Sequence, residues 1–138
     1  MQHFEHQIQC FLCDLLDYKL VNPKKGYYFA VPNGEIRGKD PLQSARVMQR
    51  LKKEGVRNGV ADIVVLLKGG DVIFVEMKTD KGKQSASQKE FEKIVKELGY
   101  NYIILHNTDE CEQFAEAITS KSYIEKIIEC IDSLQNHK

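Results

Sequence analysis

The chain has 138 residues, of which 42% are hydrophobic and 29% charged, with three prolines and no tryptophan. That is one domain's worth of sequence, burying about 68–70% of its unfolded surface, and the balance excludes disordered, collagen-like and membrane-spanning classes. Its 20 basic and 20 acidic residues cancel.

The cancellation conceals a gradient. Residues 1–18 carry −3, residues 19–58 carry +7, residues 59–98 balance, and residues 99–138 carry −4. A basic block in a neutral chain suits either a face for a polyanion or an ordinary solvated surface. The opening Met1-Gln2-His3-Phe4-Glu5 has no basic n-region and no apolar h-region. The apolar runs, such as Ile63–Leu67, fall far short of the ~20 residues of a membrane span. Cys10, Cys13, Cys111 and Cys130 are therefore expected as reduced thiols in a cytoplasmic protein with no membrane partner.

Taken in chain order, Phe4, Ile8, Phe11, Leu12, Leu15 and Leu16 form a helical stripe. Tyr27–Val31 reads as a strand closed by the turn signal Pro32-Asn33-Gly34. Asp40-Pro41 supplies an N-cap and first turn, after which Leu42, Ala45, Met48 and Leu51 recur at helical spacing until Gly55. Arg46, Arg50 and Lys53 line up on the other side of that helix. Ala61–Leu67 and Val72–Met77 are Val/Ile-rich strands joined by Lys68-Gly69-Gly70-Asp71, a hairpin. The polar loop Thr79–Gln84 precedes a helix with Phe91, Ile94, Val95 and Leu98 on one face and Gly99 beyond its end. Tyr100–His106 reads as a strand, and Asp109–Ala117 and Ser120–Leu134 as amphipathic helices. Without repeats or linkers, the order α-β-α-β-β-α-β-α-α predicts one α/β domain over residues 1–138 with a small mixed sheet flanked by helices.

The hairpin carries the candidate chemistry. Period-2 geometry places Val72, Phe74, Glu76 and Lys78 on one face of the second strand. A three-residue loop, Lys68 to Gly70, makes opposed residue numbers sum to 138, which sets Asp62 directly across from Glu76. A two-residue loop would send the two carboxylates to opposite faces. The odd loop is preferred because glycine supplies the left-handed residue it requires. Paired acids repel unless a cation neutralises them, and all-oxygen ligation suits Mg²⁺, with Mn²⁺ able to substitute. A nearby lysine can orient water or offset transition-state charge. Removing either acid should relieve repulsion and leave the fold intact. The bland alternative is a surface ion pair among Asp62, Glu76 and Lys78.

Other residues have two readings. Ser85-x-x-Gln88 is a capping box by pattern, while Gln88 also extends the Phe91 face toward the sheet. Arg37, Lys39, Arg46, Arg50, Lys53 and Arg57 are phosphate-contact candidates as a group and solvated charges singly. Cys10 and Cys13 lack a second pair at ligand spacing and read as core or half-buried thiols. His106 reads as a strand-end polar residue. Tyr123, Ile124, Ile127, Ile128, Ile131 and Leu134 make a wide apolar stripe, which by pattern packs on its own subunit.

Several stretches together resemble the virus-type replication-repair nuclease (VRR-NUC) domain of the PD-(D/E)xK nuclease superfamily. They are Glu5-His6-Gln7-Ile8-Gln9, Val31-Pro32-Asn33-Gly34-Glu35-Ile36-Arg37, and Leu51-Lys52-Lys53-Glu54-Gly55-Val56-Arg57-Asn58-Gly59-Val60-Ala61-Asp62-Ile63. Phe74-Val75-Glu76-Met77-Lys78, Gly82-Lys83-Gln84-Ser85-Ala86-Ser87-Gln88-Lys89-Glu90-Phe91 and Leu98-Gly99-Tyr100 complete the match. Ala61 stands where the family usually has proline, and Ser87 where a small apolar residue is usual. The resemblance implies a restriction-endonuclease-like core and a metal-dependent DNA endonuclease. It implies Asp62 and Glu76 as metal ligands, the Met77 carbonyl as an extra ligand, Lys78 as the catalytic lysine, and Glu5, which by position alone reads as an N-terminal acid favoured by the helix dipole, as completing the acidic cluster. Gln88 accompanies that triad, Gln9 is placed to orient Glu5 or touch the ligand, and the Asn33 loop lies near the substrate. It further implies a homodimer cutting branched DNA such as four-way (Holliday) junctions, in phage or DNA-repair settings, inside a bacterial or phage-infected host cytoplasm. A catalytically silent nucleic-acid-binding module and a sequence-specific restriction-like endonuclease remain as rivals.

Overall fold

Strand β2 (Ile63–Leu67) and strand β3 (Val72–Met77) pair antiparallel with Ile63 opposite Val75 and Val64 opposite Phe74. These numbers sum to 138, so the hairpin turns through three residues, and the Leu67 N–H closes it on the Asp71 carbonyl at 2.9 Å. Both Gly69 and Gly70 adopt positive φ, +89° and +90°, as the tight turn demands. The computed structural model describes residues 2–32, 41–120 and 123–136. Strand β1 (Gly26–Ala30) lies antiparallel outside β2, and β4 (Asn101–Leu105) lies parallel outside β3, giving a mixed sheet in the order β1-β2-β3-β4.

Alternation sorts the side chains of this sheet between two layers. Ile63, Val65, Ile73, Val75, Met77 and Leu105 turn to one face, where they meet Leu12 and Leu16 of α1 (Gln2–Leu16) and Cys111, Phe114 and Ala115 of α4 (Thr108–Thr119). After α1 the chain widens into a π-helical turn, Asp17–Val21, which delivers Leu20 to the same core. The Tyr28 hydroxyl, 2.8 Å from Asp17 Oδ1 and 3.1 Å from the Cys13 carbonyl, ties β1 to that turn.

On the other face, Phe74 meets Phe91 of α3 (Ala86–Glu97) edge to face at 5.3 Å, and Phe91 meets Tyr102 at 6.1 Å. Helices thus cover both faces, and the fold is the restriction-endonuclease-like α/β arrangement.

Several expected faces are less covered than their patterns suggest. Val95 is buried, but Ile94 and Leu98 are exposed. Helix α3 rests on β4, an edge strand, so part of its stripe lies beyond the sheet. Helix α2 (Pro41–Lys53) buries no residue; Leu42 and Ala45 are exposed, while Met48 and Leu51 line a hollow with Val31, Pro32 and Val60. Helix α5 (Tyr123–Gln135) does not cap its own subunit as its pattern suggested: Ile127, Ile128, Ile131 and Leu134 are 41–66% exposed. The side chains of Tyr123 and Ile124 lie outside the described set, as do Asn33, Arg37, Lys39 and Asp40. Helix α4 starts one residue ahead of Asp109 because the Asn107 side chain accepts the Glu110 N–H at 2.9 Å.

One glycine fixes how the segment before β2 meets α3. At Gly59, φ is +80° and an added Cβ would sit 2.4 Å from the Ser87 carbonyl carbon. At Gly69 the φ is similar but nothing lies within 4 Å. Gly69→Ala should therefore cost only left-handed strain, about 1–2 kcal/mol. Gly59→Ala should add about 1–3 kcal/mol of overpacking to the same strain. Urea unfolding of the two variants measures the difference, and equal losses would mean that the Gly59–Ser87 contact is not a real constraint.

Candidate functional site

The pleat of β3 aims Phe74 and Glu76 at the α3 side, away from the aliphatic core. Glu76 is 1% exposed, and neither of its carboxylate oxygens has a hydrogen-bond partner among the described residues. An ionised carboxylate in that condition is costly unless something positive meets it. Burial pushes its pKa above the ordinary value of 4.5. The Tyr102 hydroxyl, the Gln84 carboxamide and the Lys78 ammonium pull the other way, and Asp62 adds to the rise.

Asp62 precedes the first residue of β2, opposite Glu76 in the extended register. There β2 has ended, and the Met77 N–H donates instead to Asp62 Oδ2 at 2.7 Å. The carboxylate closes the ladder where a backbone carbonyl runs out. The Asp62 carbonyl in turn accepts the Val31 N–H at 2.8 Å, joining β1 to the same point. Lys78 follows on β3's line; its N–H donates to the Leu105 carbonyl at 3.0 Å, and its half-buried stem runs against the Thr79–Gly82 turn. Asp62, Glu76 and Lys78 thus come together at one end of the sheet.

Two carboxylates at one point, one of them buried without a hydrogen-bond partner among the described residues, fit a hard divalent cation through their oxygen donors. Glu5 is not gathered with them: among the described residues no three Asp, Glu, His or Cys side chains stand close enough to hold a metal. Its helix does reach the same end of the sheet. Phe4 and Ile8 line a hollow with Thr79, Asp80 and Lys81, which leave β3, and His106, Asn107 and Thr108, which leave β4. Glu5 and Gln9 are both half-buried on that part of α1.

Gln88 forms the capping box that its spacing suggests. Its side-chain oxygen accepts the Ser85 N–H at 2.8 Å, and its N–H donates to Ser85 Oγ at 3.2 Å. Arg46, Arg50, Lys53 and Arg57 are all exposed, and among the described residues their one ion pair is a long 3.9 Å contact from Arg50 to Glu54, of little energetic weight. Cys13 is half-buried as expected, but Cys10 is exposed, with its Sγ 3.6 Å from His6 Nε2. An α1 stripe that packs into the core through Leu12 and Leu16 turns the Cys10 side outward. His106 Nδ1 sits 2.9 Å from Glu110 Oε1.

Tyr102 and Gln84, which act on Glu76, are the residues a reading of the sequence misses. The alternation of Tyr100 and Tyr102 hints at a shared face, but only the parallel register of β3 with β4 sets Tyr102 beside Phe74.

Neither a family model nor a curated protein matches the sequence. Solved structures do match. A structure described as a VRR_NUC domain superposes with a TM-score of 0.56 at 18% identity, over 81% of this chain and 94% of its own. A VRR_NUC domain protein superposes at 0.57 with 13% identity, over 83% and 87%. The chain has the fold of the VRR-NUC domain, and at these identities the likeness is one of fold. Among the described residues, no helix is long and apolar enough to cross a membrane.

The two acids should respond differently to removal, contrary to the electrostatic expectation that either deletion spares the fold. Asp62→Ala deletes the acceptor of the Met77 N–H and should cost about 1.5–3 kcal/mol, the range for a bond to a charged group. Glu76→Gln should stabilise the metal-free protein at neutral pH. A raised pKa means that the folded state holds a proton the unfolded state has released, so stability falls as pH rises from 4.5 to the raised value. Urea midpoints across that window should slope downward in the wild type and flatten in Glu76→Gln. An unchanged slope would place the titrating group elsewhere.

Proposed function

We propose that this protein is a metal-dependent deoxyribonuclease that hydrolyses phosphodiester bonds, with Asp62 and Glu76 as metal ligands and Lys78 as the catalytic lysine. The observation that carries this reading is the buried Glu76 carboxylate, whose oxygens have no hydrogen-bond partner among the described residues and which faces a second acid across the hairpin. A binding-only protein gains nothing from that arrangement, and an apolar residue would be more stable there.

Bound Mg²⁺ or Mn²⁺ would supply Lewis acidity, drawing charge from the phosphate and making water a better nucleophile. The chain's own groups do the rest. The Met77 N–H holds Asp62 in one orientation, and the Met77 carbonyl is the next donor along β3. Glu5 enters as a ligand on the strength of the resemblance, and Gln9 as its orienting neighbour. Lys78, anchored through its backbone to Leu105, places a cation two residues beyond Glu76, where it can orient water or offset charge on the transferring phosphoryl group. Gln88 stabilises the start of α3 that borders this end of the site.

The exposed Arg46, Arg50, Lys53 and Arg57 supply a surface for DNA phosphates, with Asn33 and Arg37 as further contacts. Base readout needs a groove-filling element, and the sequence announces none, which favours substrates chosen by shape. The uncovered apolar side of α5 suits packing against a second copy, and a twofold dimer suits a four-way junction.

Incubation with linear, flapped and four-way DNA in Mg²⁺, Mn²⁺ or EDTA tests the reading, with light scattering run in parallel. Cleavage of junctions by a dimer, abolished by EDTA and lowered about 10²–10³-fold by Lys78→Ala, is expected. Persistent cleavage in EDTA would contradict the metal role. Tight binding without cleavage would indicate the silent module, and fixed cut sequences a restriction-like enzyme. Neutralising Arg46, Arg50 and Lys53 together should weaken binding to all sequences alike and reduce the salt slope by about one unit per lost phosphate contact. An unchanged slope would make the α2 face an ordinary solvated surface.

A further inference from the structure

Lys96 Nζ lies 2.6 Å from Glu92 Oε2 on α3, and this ammonium holds the Glu92 carboxyl below its ordinary range. An ionised carboxylate only accepts hydrogen bonds. Gln84 must therefore present its amide nitrogen to Glu92, and Gln84 Nε2 donates to Glu92 Oε1 at 3.0 Å. The same nitrogen donates to the Tyr102 hydroxyl oxygen at 3.3 Å. With its oxygen accepting from Gln84, Tyr102 keeps its own hydrogen to give elsewhere. Tyr102 pairs with Phe74 across the parallel strands, so Glu76 lies one pleat further along the same face. There the two Glu76 oxygens are buried without a hydrogen-bond partner among the described residues, and the Tyr102 hydroxyl opposes the effect of their burial. Packing against Phe91 limits how far the Tyr102 ring can swing.

We propose that Tyr102 is the positioning residue for Glu76: its hydroxyl donates to the carboxylate and sets the angle at which Glu76 meets a divalent cation. The relay runs from exposed Lys96 through Glu92, Gln84 and Tyr102 to the buried acid, fixing each donor's direction in turn. It rests on the metal-ligand reading of Glu76, and partners of this kind commonly orient metal-binding carboxylates.

Tyr102→Phe keeps the ring and removes the donor. By calorimetric titration, Mn²⁺ binding should weaken about 10–100-fold. In cleavage assays the metal concentration for half-maximal rate should rise while the rate at saturating Mn²⁺ recovers, a split that a merely structural defect would not produce. A second measurement needs no metal: the unfolding midpoint in EDTA for Tyr102→Phe, Glu76→Met and the double variant. Tyr102→Phe should lower the midpoint in the wild-type background and leave it nearly unchanged in the Glu76→Met background, where no acceptor remains. Equal shifts in both backgrounds, or unaltered Mn²⁺ affinity, would overturn the proposal. Failure of the wild type to bind Mn²⁺ would remove the metal reading and the positioning role with it, while the cycle would still decide whether the Tyr102–Glu76 bond exists.

Discussion

The turn between β2 and β3 contains three residues, and that odd count decides which face every side chain of β3 takes. With Gly69 and Gly70 both in the left-handed region, Ile73, Val75 and Met77 fall on the α1–α4 side and build the core. Phe74 and Glu76 fall on the α3 side. A slip of one residue would exchange the two sets, putting a carboxylate among leucines and three aliphatic side chains against α3. The Asp62–Met77 bond secures the register at its far end, where the backbone ladder stops. One local turn thus sets both the packing of the core and the meeting of the two acids.

Placing Glu76 there leaves an electrostatic debt that the described protein groups do not fully settle. Lys78, Tyr102 and Gln84 each lower the cost of ionisation, yet burial still dominates and the acid is held above its ordinary pKa. Proteins accept such a penalty where a ligand or a reaction uses it. The same trade appears in the surroundings. The segment before β2 depends on a glycine pressed against the Ser87 backbone, and Gly59 and the α3 capping box hold that helix start in place.

What the sequence discloses depends on how local each cause is. The hairpin register follows from two adjacent glycines and period-2 alternation, so Asp62 opposite Glu76 is legible from neighbours alone. The Ser85–Gln88 box is likewise local, closed within a single helical turn. Tyr102 is different: its link to Glu76 requires knowing that β4 lies parallel to β3, a pairing brought about by the whole α3 crossover. The Asp62–Met77 bond is invisible for the same reason, since it replaces a backbone partner that only the three-dimensional ladder reveals to be missing. Hydrophobic periodicity overstated burial on α2, α3 and α5, because a stripe states which side is apolar and not whether anything covers it. Glu5 shows the opposite limit. Its place on α1 is plain, but its approach to the two acids is not realised among the described residues.

The proposed function depends on the buried Glu76 carboxylate, which has no hydrogen-bond partner among the described residues, being half of a cation site. A crystal of the protein soaked in Mn²⁺ and measured at the manganese absorption edge tests it directly. The account predicts an anomalous peak within bonding distance of both Glu76 and Asp62. No peak there, with Glu76 turned instead into a closed ion pair with Lys78, would contradict it.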